Sequence, residues 1–306
     1  MISVIINCHN GLDYLAEALD SVLRQTERNW EIIFWDNASC PPAESFVKSY
    51  ADTRIIYFYD HEFVSLGEAR NRALRHARGK FVAFLDVDDY WMPEKLARQL
   101  ALFHKSARVG LVYTDADIVY SDKVTKRIFA ECTPPEGEVF GELLGSYFLV
   151  MSSVMIRRCT LDTLPVWFDP RFEIIEEYDL FLRIAAEWEF KYAADALTVW
   201  RWHDNSTTMR KRRLISIEKR LLLKKLRIAY PDLMQHFLYA ELRVIGKILV
   251  SLALAQYYAG HSQRARRVLR RSRVWSPKGI FVFFATFLPL RVIEVVYRKI
   301  KGNPLV

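Results

Sequence analysis

The stretch KFVAFLDVDDYWMP, Lys80–Pro93, combines an apolar run with a cluster of acidic residues. The apolar residues of Phe81–Leu85 predict a buried strand. Three carboxylates then follow within four positions, at Asp86, Asp88 and Asp89. Carboxylates this close repel one another unless a cation lies among them. The stretch therefore predicts a strand that ends at a functional site.

Strands and helices alternate on the N-terminal side of this stretch. The predicted strands are ISVIINC at 2–8, WEIIFWD at 30–36 and RIIYFYD at 54–60. The predicted helices are NGLDYLAEALDSVLRQ at 10–25, AESFVKSYA at 43–51 and GEARNRALRHARG at 67–79, the last closed by Gly79 as a glycine C-cap. This alternation predicts a mostly parallel sheet with helices on both faces. In such sheets ligands bind beyond the carboxyl ends of the strands, where the acidic cluster lies.

The pattern continues on the C-terminal side as far as residue 210. Predicted helices are EKLARQLALFHKSA at 94–107 and EEYDLFLRIAAEW at 176–188. Predicted strands are VGLVYTDADIVY at 109–120, FLVMSSVMIRR at 148–158 and a strand pair in FKYAADALTVWRWH at 190–203. The polar stretch 121–145 contains several prolines and glycines and predicts a loop.

Charge separates the chain into two parts. Residues 1–210 carry 23 Lys and Arg against 32 Asp and Glu, whereas residues 211–306 carry 21 against 4. We therefore expect an acidic domain over 1–210 and a basic helical region over 211–306, with two helices of the latter turning at Gly260. A basic region of this kind points to an anionic partner, either a membrane surface or nucleic acid. The chain carries no helix-turn-helix, zinc-finger or RNA-binding signature, which argues against nucleic acid.

The apolar run Ile280–Leu290 precedes further basic residues. As a helix it would extend about 16 Å, too short for a bilayer core of roughly 30 Å. We expect residues 275–306 to make peripheral contact with an anionic membrane. The alternative is that the phenylalanines of this run pack on protein. MISVIIN lacks the basic flank of a signal peptide, and four scattered cysteines indicate reduced thiols. We therefore expect a protein without a signal peptide, located in the cytoplasm at the cytoplasmic face of the membrane.

The Asp86–Asp88 pair is suited to a metal ion. Hard divalent cations such as Mg²⁺ and Mn²⁺ prefer oxygen ligands and often bridge carboxylates to substrate phosphates. The pair therefore predicts a site for a metal ion and a diphosphate. An acidic turn that caps the next helix, which begins soon after Asp89, is the alternative interpretation.

Asp36 also ends a predicted parallel strand, so it is expected at the same edge of the sheet. An acid there can accept a hydrogen bond from a nucleobase or ribose. A plain turn aspartate beside Asn37 and Ser39 is the alternative. Arg70 and Asn71 lie on the helix leading into the acidic strand. The alternative interpretation of Arg70 is a solvated charge on the surface of that helix.

Four segments, taken in order, resemble the family 2 glycosyltransferases. They are SVIINCHNGLDYLAEALDSVLRQT at 3–26, EIIFWDNAS at 31–39, LGEARNRAL at 66–74 and GKFVAFLDVDDYWMPEKL at 79–96. The family's usual forms are SVIIPTYN, EIIIVDDGS, ARNxG and FLDSDD. The resemblance continues through MSSVMIRR, EEYDLFLRIA and WRWHDNST, and so covers about 1–210. It implies an α/β protein of the GT-A fold that catalyses inverting sugar transfer from a nucleotide sugar.

The resemblance implies roles for particular residues. Asp36 would bind the base or ribose of the nucleotide, Cys8, His9 and Asn10 would supply contacts from the first strand, and Arg70 would approach the base. Asn7 and Cys8 replace the usual Pro-Thr, which changes the detailed contacts with the base.

Three further positions follow from the family's Asp-x-Asp motif. Asp86, Val87 and Asp88 correspond to it, with Asp88 as the main ligand of Mg²⁺ or Mn²⁺ and Asp86 assisting. Later in the chain Arg201, His203 and Ser206 resemble a segment near the diphosphate. His203 would contact the metal or the diphosphate. The alternative interpretation is an ordinary histidine at the end of a strand.

Glu176 and Glu177 occupy the acidic pair whose second member is the family's general base. That member is usually Asp, so the longer Glu177 changes the reach of the carboxylate. Glu176 or Asp179 remain alternatives for the role. The alternative interpretation gives these acids no catalytic role. They would then lie at a helix N-terminus because the helix dipole favours negative charge there.

The acceptor is expected to be a glycan or a lipid-linked molecule in cell-surface polysaccharide or glycoconjugate synthesis, and the donor a UDP-sugar by default. The acceptor pocket is expected from residues 140–156 and the 121–139 loop. Aromatic residues that would stack there, or pack in the core instead, are Trp91, Tyr147, Phe148 and Trp167. The competing functions are a silent nucleotide-sugar-binding or scaffold relative and a nucleotidyltransferase, although INCHNGLDY is not the triphosphate loop of the latter. A homo-oligomer is compatible with the sequence.

Overall fold

The protein is described from a computed structural model, which covers residues 1–120, 123–203, 211, 213–270, 280 and 282–284. The chain forms two compact units. The first consists of Met1–Leu143 and Tyr147–Arg212, and the second of Leu144–Ser146 and Arg213–Val306.

A nine-stranded sheet forms the centre of the first unit. Its strand order is β3-β2-β1-β4-β8-β6-β9-β5, and β7 pairs with β6 outside this path. The strands are β1 Ile2–Cys8, β2 Trp30–Asn37, β3 Ile55–Asp60, β4 Phe81–Asp86, β5 Tyr90–Trp91, β6 Val109–Tyr120, β7 Lys123–Arg127, β8 Val154–Arg157 and β9 Glu189–Arg201.

The four strands β3, β2, β1 and β4 are mutually parallel, as the alternating pattern predicted. Every residue of β2 is buried, which fits strands covered on both faces. The register places Cys8 beside Asp36 and Asn7 beside Asp86. The carboxyl ends of β1, β2 and β4 therefore meet at one edge, where the candidate site residues were expected.

The other half of the sheet is mixed. Strand β8 is antiparallel to β4 and β6, β9 is parallel to β6, and β5 is antiparallel to β9. The predicted strand pair at 190–203 was wrong, because Glu189–Arg201 forms one long strand that follows β6 through several register shifts. The α/β class is confirmed, with antiparallel pairings added to its parallel half.

Two further predictions need correction. The predicted loop at 121–145 contains β7, which is exposed but pairs with β6 along its edge. It also contains a short helix whose Phe140 and Leu143 are buried. The predicted strand at 148–158 begins as a 3₁₀ turn at Met151–Ser153 and becomes extended only at Val154. The turn directs the hydroxyl of Ser152 toward the acidic edge.

Seven described helices begin in the first unit, and the fifth of them ends in the second unit. They are α1 Leu15–Leu23, α2 Glu44–Lys48, α3 Leu66–Leu74, α4 Lys95–Phe103, α5 Phe140–Gly145, α6 Arg158–Asp162 and α7 Glu176–Ala185. Helix α3 begins at a side-chain N-cap, in which the hydroxyl of Ser65 accepts from the backbone N–H of Glu68.

Gly79 does not cap α3, which ends at Leu74 with Arg75 as its C-cap residue. Instead the backbone of Gly79 passes against β1 and donates to the hydroxyl of Ser3. A β-carbon at Gly79 would lie 2.5 Å from the backbone nitrogen of Ser3. The glycine is therefore required by a close approach of two backbone segments, which sequence spacing does not reveal.

The described helices of the second unit are α8 Leu214–Ala229, α9 Pro231–His236, α10 Leu238–Tyr258 and α11 Ser262–Arg270. The predicted turn between two helices is confirmed at Gly260, whose φ of +81° favours glycine. A small core between α10 and α11 includes Val250, Tyr257 and Leu269, with Val282 packed against it. Among the described residues, no helix has the length and apolar character needed to cross a membrane.

Candidate active site

Arg70 occupies the centre of the acidic edge. Its side chain is 2% exposed and extends from α3 between the end of β4 and the start of α7. Nη2 donates to Asp86 Oδ1 at 3.0 Å, and Nη1 donates to Glu176 Oε1 at 3.0 Å and to Glu177 Oε2 at 3.4 Å. The guanidinium also lies 5.5 Å from the ring centre of Phe168. One arginine thus joins three of the predicted site carboxylates.

Burial alone would disfavour the charge on Arg70. The nearby carboxylates of Asp86, Glu176 and Glu177 outweigh burial and raise the pKa of Arg70. This arginine was predicted to approach the nucleotide base, and the structure places it instead within a buried ion cluster. Sequence reasoning missed that pairing because Glu176 lies 106 residues away along the chain.

Asp88 lies beside His203. The distance from Asp88 Oδ2 to His203 Nε2 is 2.9 Å, and each side chain is 31% exposed. Burial and the neighbouring Asp86 raise the pKa of Asp88, against the opposing effect of the His203 hydrogen bond. The site therefore offers an oxygen and a nitrogen donor at one position, with a local excess of negative charge.

Asp89, the third acid of the motif, holds the loop together from inside. Its Oδ1 accepts from the backbone N–H of Arg201 at 2.9 Å, and its Oδ2 accepts from the hydroxyl of Ser152 at 2.5 Å. The same hydroxyl accepts from the backbone N–H of Asp86 at 3.1 Å. Burial, with Asp88 and Asp86 nearby, raises the pKa of Asp89 well above its usual range. Ser152 was not predicted, since it lies in an apolar segment that reads as a strand.

Arg201 lies across the same loop. It is 7% exposed, and Nη1 donates to the backbone carbonyl of Asp88 at 2.7 Å. Nη2 donates to Glu17 Oε2 at 2.6 Å, and the guanidinium lies 4.1 Å from the ring centre of Tyr14. These contacts hold the Asp88 peptide between α1 and the end of β9. Ser206 lies outside the described residues.

Asp36 is fully buried, and its carboxylate is occupied by groups of the protein. Oδ1 accepts from the backbone N–H of Ser39 at 2.9 Å. Oδ2 accepts from the backbone N–H of Ala43 at 2.7 Å and from the hydroxyl of Tyr57 at 2.7 Å. This predicted nucleotide ligand therefore orders the turn after β2 with both of its oxygens.

The turn after β2 is also joined to the end of β1. His9 Nδ1 lies 2.7 Å from the carbonyl of Asn37, and the backbone N–H of Asn10 donates to the hydroxyl of Ser39 at 2.9 Å. The side-chain oxygen of Asn10 accepts from the backbone N–H of Cys40 at 2.8 Å. His9 and Asn10 are exposed, so they form an accessible rim at the ends of β1 and β2.

Two other predicted nucleotide contacts lie deeper beside this rim. Cys8 is buried, and burial raises the pKa of its thiol. Val87 is partly buried against the core, and a β-carbon at Gly11 would come within 2.8 Å of its methyl group. The structure therefore brings the backbone of Gly11 against the Asp-x-Asp loop.

Glu177 faces Tyr147. The tyrosine hydroxyl donates to Glu177 Oε1 at 2.8 Å, and the side chain of Glu177 is 22% exposed. Burial raises the pKa of Glu177, and the nearby charge of Asp86 raises it further. The charge of Arg70 and the hydrogen bond from Tyr147 lower it, but the net pKa remains raised. Glu176 is only 3% exposed, and Asp179 is fully buried and paired with Arg183 at 2.9 Å. Of these three acids, Glu177 is the most accessible.

The predicted acceptor aromatics separate into two groups. Trp91 is 3% exposed and donates from its indole N–H to the carbonyl of Ser152, so it packs in the core. Trp167 donates to the carbonyl of Leu161, and Phe148 packs with Tyr113 and Phe129. These three side chains contact the protein core or backbone. Only Tyr147 contacts an acid of the site.

The residues at Asp88 suit a hard divalent cation in part. Among the residues that the structure describes, no group of three or more His, Cys, Asp or Glu is arranged to hold a metal ion. Asp86 is turned toward Arg70, which leaves Asp88 and His203 as the adjacent donors. Mg²⁺ and Mn²⁺ sites commonly use one or two protein ligands and take the remainder from phosphate and water, so this pair fits such an ion.

The sequence profile of Glycosyl transferase family 2 matches residues 3–157. These residues carry β1, the turn after β2, Arg70, the three aspartates and Ser152. The chain belongs to glycosyltransferase family 2. Its activity is accordingly that of a glycosyltransferase, and the resemblance seen in the sequence motifs is confirmed.

Curated relatives match the same part of the chain. UDP-Glc:alpha-D-GlcNAc-diphosphoundecaprenol beta-1,3-glucosyltransferase WfgD of Escherichia coli is 28% identical over 184 residues, covering 60% of this chain and 69% of the relative. The putative teichuronic acid biosynthesis glycosyltransferase TuaG of Bacillus subtilis is 32% identical over 160 residues, covering 52% and 62%.

Two solved structures share the fold. The crystal structure of S. aureus TarS 1–349 in complex with UDP-GlcNAc has a TM-score of 0.58 and 17% identity, covering 97% of this chain and 91% of that chain. The mannosyltransferase PcManGT from Pyrobaculum calidifontis in complex with GDP-Man and Mn²⁺ has a TM-score of 0.60 and 17% identity, covering 98% and 83%. Both likenesses establish the GT-A fold of this chain.

The buried ion cluster yields a stability prediction. Replacing Arg70 with Met leaves Asp86, Glu176 and Glu177 without their shared cation, so we expect a loss of about 3–5 kcal/mol in the free energy of unfolding. The matched control is Arg72→Met on the same helix, whose partly exposed pairs with Asp60 and Glu68 should contribute less than about 1 kcal/mol. Urea unfolding followed by tryptophan fluorescence measures both, and equal losses would contradict a special role for Arg70.

Proposed function

We propose that the protein transfers a sugar from a UDP-sugar to a hydroxyl group of a glycan or lipid-linked acceptor, with inversion at the anomeric carbon. The observation that carries the proposal is the Arg70 cluster, which sets Asp86 of the metal-binding motif beside Glu177 at one edge of the sheet. The name of TuaG, from teichuronic acid biosynthesis, supports a polysaccharide product, and that of WfgD supports a UDP-sugar donor and a diphosphate-linked lipid acceptor.

The donor diphosphate belongs, in this proposal, at the Asp88–His203 pair. Asp88 would be the main ligand of Mg²⁺ or Mn²⁺, with His203, which contacts Asp88, as a second donor and Asp86 contributing charge nearby. The bound metal would neutralise charge on the departing nucleoside diphosphate. Arg201 donates to the backbone carbonyl of Asp88, so it positions this metal ligand and also adds positive charge near the diphosphate. Ser206 is proposed beside the diphosphate from the sequence motif alone.

The nucleoside is proposed at the rim formed by the ends of β1 and β2. His9 and Asn10 are the exposed groups there, and Cys8 and Val87 shape the space below them. Asp36 acts mainly by ordering the turn that carries Asn37 and Ser39, because both of its carboxylate oxygens already accept hydrogen bonds. Arg70 acts mainly on the carboxylates rather than on the base.

Glu177 is the proposed general base. Its carboxylate would take the proton of the acceptor hydroxyl while that oxygen attacks C1 of the sugar from the face opposite the diphosphate. Its raised pKa makes it a better proton acceptor than an ordinary glutamate. Arg70 and Tyr147 hold its two oxygens, so the attacking hydroxyl would approach a preoriented carboxylate.

A cytoplasmic location at the membrane face accords with a lipid-linked acceptor, as WfgD's name describes for that enzyme. The expected contact of residues 275–306 with anionic lipid falls almost wholly outside the described residues. It remains part of the proposal on the ground of charge and apolar sequence alone.

Donor binding provides the first test. With Mn²⁺ or Mg²⁺ present, a UDP-sugar should raise the melting temperature more than GDP-, dTDP- or CMP-sugars, because binding stabilises the native state by mass action. Asp88→Asn should remove the metal-dependent part of the shift. The control Asp20→Asn, an exposed position on α1, should leave it unchanged. A full metal-dependent shift in Asp88→Asn would refute the metal assignment.

Replacing Glu177 with Gln tests the base. We expect the turnover number to fall by about a hundred- to ten-thousandfold, since the amide cannot take the acceptor proton. Donor binding in the thermal-shift assay should be retained. Glu187→Gln, just beyond the end of α7 and exposed, is the matched control. Near-normal turnover by Glu177→Gln would show that another acid is the general base. If the protein is a catalytically silent relative, the wild type and every variant would bind the donor without turnover.

The hydrogen bond from Tyr147 makes a separate prediction about pH. That bond lowers the pKa of Glu177, so Tyr147→Phe should raise it further. Glu177 acts as a base only when ionised, so the acidic limb of the kcat/KM profile should move to higher pH in the variant. Activity should approach the wild-type value above that limb. The profile of Tyr120→Phe serves as the control, and an unshifted limb in Tyr147→Phe would show that this bond does not tune Glu177.

A further inference from the structure

The second unit contains a groove between α8 and α10. Its volume is about 470 Å³. Apolar side chains form the floor, and they are Leu223, Ile245, Ile248 and Leu249. Basic side chains of α8 form one rim, and they are Arg220, Lys224 and Arg227. An apolar floor below a basic rim is suited to a ligand that is itself apolar at one end and anionic at the other.

The charges of the rim are only partly balanced. Arg227 pairs with Glu241 through a 2.6 Å contact, and Glu241 is 3% exposed. Arg220 and Lys224 are exposed and lie one turn apart, and within the described part of the chain no ion pair is recorded for either. The groove therefore presents two cations whose charge the described carboxylates do not offset.

Apolar residues flank these two cations on the same face of α8. Ile217 is 60% exposed and Ile228 is 75% exposed. Positions 217, 220, 224 and 228 recur at intervals of three and four residues, which places them in one stripe along the helix. Exposed isoleucines lower solubility unless another surface covers them. Isoleucines beside unbalanced cations are typical of helices that lie at a lipid interface.

We propose that α8 and α10 dock on the anionic lipid of a bilayer. Arg220 and Lys224 receive the lipid phosphate, Ile217 and Ile228 enter the interface, and an acyl chain occupies the groove floor. A free phosphate would leave the apolar floor unexplained, and an uncharged peptide would leave the two cations unbalanced. This surface is separate from the contact expected of residues 275–306, and it does not depend on the proposed sugar transfer.

Vesicle co-sedimentation of the full chain tests the surface without donor or acceptor. The vesicles are phosphatidylcholine alone or phosphatidylcholine with about one quarter phosphatidylglycerol. The double variant Arg220→Gln with Lys224→Gln should partition at least about tenfold more weakly onto the anionic vesicles, since each basic residue near such a surface contributes on the order of a fivefold factor. The matched control is Arg264→Gln with Arg267→Gln on α11, which removes the same charge from exposed positions outside the groove.

A much larger loss in the groove variant than in the control supports the proposal. Equal losses would show a diffuse attraction by the net charge and would overturn it, as would no loss in either variant. Ile228→Ser, at an exposed position that should not disturb folding, measures the apolar part. We expect it to weaken binding to the anionic vesicles severalfold even at high salt, where charge is screened. Unchanged binding of this variant would also overturn the proposal.

Discussion

One buried cation organises the acidic groups of the site. Arg70 joins Asp86 at the end of β4 to Glu176 and Glu177 at the start of α7, and its side chain is 2% exposed. Three carboxylates share this one guanidinium, so negative charge remains in excess when all are ionised. That excess contributes to the raised pKa values of Asp88 and Glu177, because Asp86 acts on both. It also favours a divalent cation nearby, since a cation offsets the repulsion that the cluster retains.

A second set of contacts holds the metal-binding loop in shape. Asp89 accepts from Ser152 and from the backbone of Arg201, and Arg201 donates to the carbonyl of Asp88. The side chain of Asp88 is consequently left to face His203. The three neighbouring aspartates therefore have different roles. Asp86 belongs to the Arg70 cluster, Asp89 stabilises the loop through buried hydrogen bonds, and Asp88 remains available to a ligand. A buried network of this kind is costly when one partner is missing, which makes its members sensitive to substitution.

Prediction from sequence was accurate where a local pattern carried the information. The parallel strands up to β4 and the long helices followed from apolar spacing, and the motif order identified the family. It failed where distant partners decided the structure. Strand β7 exists because β6 offers it an edge, and β9 is one strand because β6 runs beside it through several register shifts. Gly79 was read as a helix cap, although its lack of a β-carbon serves a contact with Ser3.

The sequence by itself determined the fold class, the family and the identity of the acids at the carboxyl edge, because strand ends and short motifs are local properties of the chain. Only the tertiary structure decided what each acid does. It directed the carboxylate of Asp36 into its own turn, placed Arg70 among carboxylates, and made Ser152 and Tyr147 the hydrogen-bond partners of Asp89 and Glu177. The physical reason is that a hydrogen bond needs atoms about 3 Å apart, and only the packing of helices, strands and loops brings residues that are distant along the chain that close.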